Sequence, residues 1–334
     1  MHLTYLSFSD KGEALAARLA AALGGETARC GRDVSLDEWT RISFGQAQGL
    51  VFAGAAGIAV RAVAPYVKSK TSDPAVVVVD ECGHFAVPIL SGHLGGANDL
   101  ARRIARVCGA IPVLTTATDA NGVFAVDEWA RRQNCRVIHP EKIKEVSSSL
   151  LAGGTVRIYS PWPVTGDRPA NVVLTEDEAN CMVCLDVRAG DIERLCLVPR
   201  ILVLGVGCRR GTTQEALEEA FQALLEKSGV FAEAVCAAAS IDLKREEAGL
   251  LAFCETHGWP CWFFSAEELK AVSGDFTASG FVKGVTGVDN VCERGAVLAS
   301  GGRLYWKKSA GNGVTMALAQ MPYAPTWRWL EDGE

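Results

Sequence analysis

The sequence has no long apolar run. No stretch reaches the roughly 18 consecutive apolar residues that a membrane-crossing helix needs, so no membrane span is expected. Met1-His2-Leu3-Thr4 shows no secretion signal, and a cytoplasmic location is expected. Positive charge is not in excess: 33 Lys and Arg stand against 39 Asp and Glu, for a net charge of −6. Such a chain has no global basic field to draw in nucleic acid. The pattern Gly-x-x-x-x-Gly-Lys-Ser/Thr is absent, which removes the familiar phosphate cradle. Paired metal-ligand motifs are also missing. The single Cys-x-x-Cys, Cys181-Met-Val-Cys184, has no second pair and no nearby His, so a zinc site would need ligands from elsewhere. The 12 cysteines lie scattered from Cys30 to Cys292 and read as free thiols in a reducing compartment.

What is present is an ordinary globular composition, 49% hydrophobic and 22% charged over 334 residues, enough for two or three domains. Short apolar runs alternate with amphipathic stretches. Leu3 to Phe8, Leu50 to Ala53, Ala75 to Val79, Phe85 to Leu90 and Ile111 to Leu114 read as strands. Ala75 to Val79 is continuously apolar, as in a parallel strand buried on both faces. Between these runs, Leu15, Leu19 and Leu23, and later Leu100, Ile104 and Cys108, recur at helical spacing. After Cys135 periodicity weakens, and Pro161, Pro163, Gly166 and Pro169 interrupt short strands. A new α/β pattern starts at Ile201. Thr212 with Glu215, and Ser265 with Glu268, have capping-box spacing. Lys244 opens a helix to His257, and Val288 to Leu298 reads as another. The fold expected is α/β: two three-layer α/β units with mainly parallel sheets, joined by a small α+β middle segment. The boundaries read as 1–134 for an N-terminal α/β domain, 135–199 for the middle segment, 200–322 for a C-terminal α/β domain and 323–334 for a tail.

Leu90-Ser-Gly-His-Leu-Gly-Gly-Ala-Asn-Asp99 is the densest polar stretch. It stands where a strand turns into a helix, a place that presents backbone N–H groups to anions. His93 can titrate near neutrality and serve as general base or acid. Ser91 can donate a hydrogen bond, Gly92, Gly95 and Gly96 permit close approach, and Asn98 adds a polar amide. The plain alternative is a tight turn with a capping serine. Thr115, Thr116, Thr118 and Asp119 form a second polar strand end, suited to ligand binding or to simple capping. Arg61 follows a glycine corner, Gly54-Ala-Ala-Gly57. His84, beside Gly83, reads as a solvated turn residue. In the last unit, Gly205-Val-Gly-Cys-Arg-Arg-Gly211 is one residue too long for the dinucleotide fingerprint. Its Arg209 and Arg210 instead favour a carboxylate or phosphate, with Lys244 extending the patch, the plain alternative being a solvated arginine pair. Glu293 is a candidate acid/base or binding group, although such a residue is more often a surface carboxylate.

These same strings carry a resemblance. Gly57-Ile-Ala-Val-Arg61, Asp73 to Asp80, Leu90 to Asn98, Thr115 to Asp119, Phe124 to Ala130, Gly205 to Gly211, Ala239 to Asp242 with Lys244, Val291-Cys-Glu293 and Gly313-Val-Thr315 closely resemble the cobalt-precorrin-5A hydrolase (CbiG) family of anaerobic cobalamin biosynthesis. Arg210 and Thr213 stand where Lys and Ser are usual. The resemblance implies opening of the ring-A lactone of a cobalt-bearing tetrapyrrole-derived substrate with release of acetaldehyde. It also implies a cobalt-corrinoid partner and no protein-bound cofactor or metal, since cobalt arrives inside the substrate. His93 is the expected base, with Ser91 and the backbone at Gly95 and Gly96 as oxyanion donors. Arg61, Arg209, Arg210 and Lys244 would meet substrate carboxylates in a cleft between the two α/β units. The competing class is a non-catalytic corrinoid-binding or carrier protein, and a nucleotide-dependent enzyme comes third. A homo-oligomer, or handover to other enzymes of the pathway, stays open.

Overall fold

The computed structural model describes residues 1–69, 72–188, 193–280, 284 and 287–329. The chain is an α/β protein with three mixed, mostly parallel sheets flanked by helices. The last five residues of the expected tail, 330–334, lie outside the described residues.

The first unit contains β1 (Leu3–Ser7), α1 (Asp10–Leu23), β2 (Glu26–Arg29), α2 (Leu36–Gln46), β3 (Gly49–Ala53), α3 (Ala56–Val63), β4 (Ala75–Val79), β5 (Phe85–Leu90), α4 (Ala97–Cys108) and β6 (Ile111–Pro112). The sheet order is β2-β1-β3-β4-β5-β6. Strands β3 and β4 are buried at every position, as the apolar runs require. On one face, α1 and α4 bring Leu15, Leu19, Leu100 and Ile104 against Tyr5, Val51 and Val77. On the other, α2 and α3 bring Trp39, Ala59 and Val63 against Leu6, Phe52 and Val76. Strands β1 to β4 run parallel, whereas β5 runs antiparallel to β4 and β6 follows β5. Hence β5 and β6 end where β1, β3 and β4 begin. The residues after Leu90 and after Pro112 therefore meet at one edge of the sheet, away from the carboxyl ends of the other strands.

The middle unit adds α5 (Ala117–Ala120), α6 (Val126–Arg132), β7 (Cys135–Ile138), α7 (Ile143–Leu151), β8 (Val156–Tyr159), β9 (Val172–Thr175), β10 (Val183–Leu185) and β11 (Leu195–Pro199). Its sheet, ordered β7-β11-β10-β8-β9, is parallel except for β7. Strands of three to five residues are too short to carry a periodic signature, so β7 and β11 escape sequence inspection. Trp129, Ile143, Val146 and Leu150 cover one side of this sheet together with Trp327 from the tail.

The last unit holds β12 (Leu202–Cys208), α8 (Gln214–Ser228), β13 (Val235–Ile241), α9 (Ala248–His257), β14 (Cys261–Phe264), α10 (Ala266–Ala271), α11 (Cys292–Ser300), β15 (Arg303–Gly311) and β16 (Val314–Gln320). Its order is β14-β13-β12-β16-β15. Three local expectations shift. Thr213, not Thr212, caps α8 by accepting from Ala216 N at 3.3 Å, while Thr212 donates to Arg209 O. The α-helix expected from Lys244 begins at Ala248, after a short 3₁₀ turn, and α11 begins at Cys292. The Ser265–Glu268 capping box forms as its spacing implies. Gly205 lets α11 lie directly on β12: a Cβ there would sit 1.8 Å from Cys292 O. The glycines of the Arg209–Arg210 loop thus serve helix packing and a turn, with Gly211 at φ 73°.

Candidate functional site

The stretch after β5 folds into a closed corner. Ser91 sits at φ 55°, a left-handed conformation unusual for serine, and Gly96 at φ 84° precedes α4. Three N–H groups at the start of α4 are already taken: Gly96 N donates to His93 O, Ala97 N to Ser91 O and Asn98 N to Gly92 O, at 2.9, 3.1 and 2.9 Å. These backbone donors do not face an anion. Gly95 is required for a different reason: a Cβ would lie 2.3 Å from Ser91 Cβ. At Gly92 a Cβ would press on Asn98 Oδ1 at 2.8 Å. The glycines thus let the corner fold onto itself. The Ser91 hydroxyl ends up buried with no hydrogen-bond partner among the described residues.

His93 leaves this corner and inserts between two carboxylates. Its Nε2 lies 2.6 Å from Asp119 Oδ2 and its Nδ1 lies 3.0 Å from Asp127 Oδ1. Asp119 also accepts from Thr116 Oγ1 at 2.5 Å, Asn98 Nδ2 at 3.0 Å and Arg102 at 2.7 Å. Asn98 further donates to Thr116 Oγ1 at 2.7 Å. Burial opposes the imidazolium, yet hydrogen bonds to Asp119 and Asp127 outweigh it and push the His93 pKa up to about 10. Burial likewise works to raise Asp119, but His93, Thr116 and Arg102 hold it well below the usual carboxylate range. At neutral pH the ring is therefore a cation with both nitrogens occupied. In this geometry both ring nitrogens face carboxylates, and a general base would have to release one of them to take a substrate proton.

A cavity of about 300 Å³ opens beside the cluster, lined by Arg102, Leu114, Thr118, Asp119, Val123 and Trp329 among others. Thr118 is buried at its wall, whereas Thr115 is exposed nearby. Arg102, Asp127 and Trp329 are members of this neighbourhood that the sequence pattern missed. Arg102 stands on the charged stripe of α4, normally the solvent side, yet is only 5% exposed. Asp127 stands in the first turn of α6, where the usual reading of an acidic residue is helix-dipole compensation.

The remaining candidates stand elsewhere. Arg61 is exposed on α3, which covers the sheet face opposite to α4. Arg209 and Arg210 are exposed beyond the carboxyl end of β12. Lys244 donates to Glu247 Oε2 at 2.8 Å, and this bond holds the Glu247 carboxyl below its usual range. Glu293 is fully buried. It accepts from Thr277 N, Thr277 Oγ1, Asn290 Nδ2 and Lys308 N at 2.6 to 2.9 Å, which ties neighbouring segments to α11. Every one of its visible partners is part of the fold. Arg61 and the His93 corner, which leads into α4, thus flank opposite faces of the first sheet, while Arg209, Arg210 and Lys244 belong to the last unit.

The chain matches three successive family descriptions: cobalamin synthesis G N-terminal over residues 38–119, cobalamin biosynthesis central region over 124–199, and cobalamin synthesis G C-terminus over 202–319. It belongs to the CbiG family. Among its relatives, a cobalt-precorrin-5A hydrolase of Salmonella typhimurium is 36% identical over 293 residues, 83% of each chain. A cobalt-precorrin-5A hydrolase of Priestia megaterium is 32% identical over 298 residues, 83% of this chain and 79% of its own. The crystal structure of a cobalamin biosynthesis protein G homolog from Sulfolobus solfataricus aligns over 96% of this chain and 97% of its own, at 23% identity and a TM-score of 0.42. On this CbiG chain the His93 cluster bridges two of the matched pieces: His93 and Asp119 lie in the N-terminal match and Asp127 in the central one.

Proposed function

We propose that this chain hydrolyses the ring-A lactone of cobalt-precorrin-5A and releases acetaldehyde. The observation that carries the reading is kinship with proteins named for that activity, at 36% and 32% identity over 83% of the chain. Cobalt belongs to the substrate in this reading, and no protein-bound cofactor is needed. Water must attack the lactone carbonyl while its oxyanion is stabilised. The tetrahedral species collapses with the ring oxygen leaving as an alcohol that takes up the proton given by the water; that alcohol then gives its proton to solvent as the adjacent C–C bond breaks, acetaldehyde departs and the macrocycle takes up the bond's electron pair.

The cavity beside Asp119 supplies groups for the first step. Asp119, ionised at all working pH values, orients the attacking water. Arg102 and Thr118, on the same cavity wall, face the developing oxyanion. His93 acts through Asp119 and Asp127, fixing both carboxylates, and is a positioning residue. A volume of about 300 Å³ accommodates the lactone-bearing edge of the macrocycle and leaves its periphery outside.

The test is single-turnover incubation of the purified chain with cobalt-precorrin-5A, reading acetaldehyde. Release by the natural chain, with Asp119→Asn slowed at least about 100-fold in kcat, is the expected result. Corrinoid binding without any release would favour the carrier reading instead.

A further inference from the structure

The turn joining β4 to β5 brings Asp80, Cys82 and His84 together at the far edge of the first sheet from the His93 cluster. One donor atom from each lies within 4.8 Å of the other two. Asp80 Oδ1 and His84 Nδ1 are 3.6 Å apart. In a tetrahedral site with metal–ligand bonds of about 2.0–2.3 Å, donor atoms stand roughly 3.3–3.7 Å from one another. The carboxylate and imidazole already have that spacing, and the exposed Cys82 thiol lies within 4.8 Å of both.

Turn formation accounts for part of this segment only. Asp80 accepts from Cys82 N, His84 N and Phe85 N at 3.0, 2.8 and 2.7 Å, and Gly83 takes φ 73°. Those bonds explain the aspartate and the glycine and hold the carboxylate in a fixed orientation. They do not explain a thiol and an imidazole at alternate positions. Of the twelve cysteines, Cys82 is the one that stands exposed. The His84 side chain is 71% exposed, with its Nδ1 turned toward Asp80.

We propose that Asp80, Cys82 and His84 bind one divalent late first-row transition ion, of the Zn²⁺ or Co²⁺ type, with solvent in the open position. A thiolate, an imidazole and a carboxylate form a borderline-soft donor set that selects such ions over Mg²⁺ or Ca²⁺. Cys82 gives up its thiol proton to solvent on binding, and no electron transfer is involved. The site stands apart from the lactone chemistry and adds a protein-bound ion where the sequence led to none.

Co²⁺ titration of the full chain, kept reduced with a phosphine, tests it. The expected result is one equivalent of Co²⁺ with a thiolate-to-cobalt charge-transfer band, displaced by Zn²⁺ and unaffected by excess Mg²⁺. Cys82→Ser abolishes that band, and His84→Ala weakens affinity at least about tenfold. Both residues are exposed, and thermal melts of the two variants verify that they fold. The proposal is overturned if the natural chain shows no saturable band. It is equally overturned if the band survives Cys82→Ser, which would place the ion on another thiol.

Discussion

His93 is held as a cation from two sides, and its protonation is tied to stability. Its folded pKa of about 10 lies above the unfolded value of about 6.5. The stabilisation is therefore complete below pH 6.5 and is lost as pH rises through 10. His93→Gln leaves two carboxylates without their shared partner and is expected to cost about 3 kcal/mol near pH 6.5. Urea unfolding across pH 6.5 to 10 should show the gap between the two proteins closing as pH rises; a gap independent of pH would contradict the ion-pair assignment. Ser91 makes the opposite case. An enclosed hydroxyl without a partner costs about 1–3 kcal/mol, so Ser91→Ala should raise stability by about 1 kcal/mol in the same assay. If acetaldehyde release falls in that more stable variant, the serine is retained for the reaction.

At the scale of elements, one reversed strand decides where the candidate site forms. Only five residues, 80–84, join β4 to β5. A parallel crossover needs about a dozen residues or more, so β5 had to return antiparallel. That connection length is visible in the sequence, and it moves the His93 corner away from the carboxyl ends of β1, β3 and β4. The burial of Arg102 and Asp99 is not visible in this way. Both lie on the polar stripe of an amphipathic helix, and only the arrival of α6 and the segment around α5 covers them. Arg132 reaches Asp99 at 3.0 Å and Glu128 at 3.2 Å, so charges that would suit solvent close a contact between units. Close packing of α11 on β12 gives a further prediction. Gly205→Ala forces a Cβ into Cys292 O and should cost about 3 kcal/mol or more, read by chemical denaturation.

Across the whole molecule the three sheets are fastened by chain segments far apart in sequence. The tail returns to the middle unit: Trp327 stacks on Trp129 with centroids 5.4 Å apart, and Trp129 Nε1 donates to Thr326 O at 2.6 Å. Arg132 Nε donates to Trp329 O at 2.7 Å, which sets the indole at the wall of the cavity. Trp327→Ala removes a ring only 3% exposed and should cost about 3–5 kcal/mol. Amide exchange should rise first in α6 and β8, whose side chains share that core. Uniform exchange across all three sheets would mean that the tail is not a local clamp. The middle and last units also share one core, in which Cys184 and Val198 join Leu202 and Phe221.

The apolar runs determined by themselves that the chain forms α/β units, because burying such strands on both faces requires helices on both sides. The family strings likewise singled out the polar corner at 90–98 and the threonine-rich end at 115–119, which do meet. Tertiary structure alone decided what that meeting does to the groups involved. Two carboxylates from α5 and α6 converge on one imidazole and favour its charged form. Charge state depends on distance and burial among residues 26 and 34 positions away from His93, and no local pattern encodes those distances.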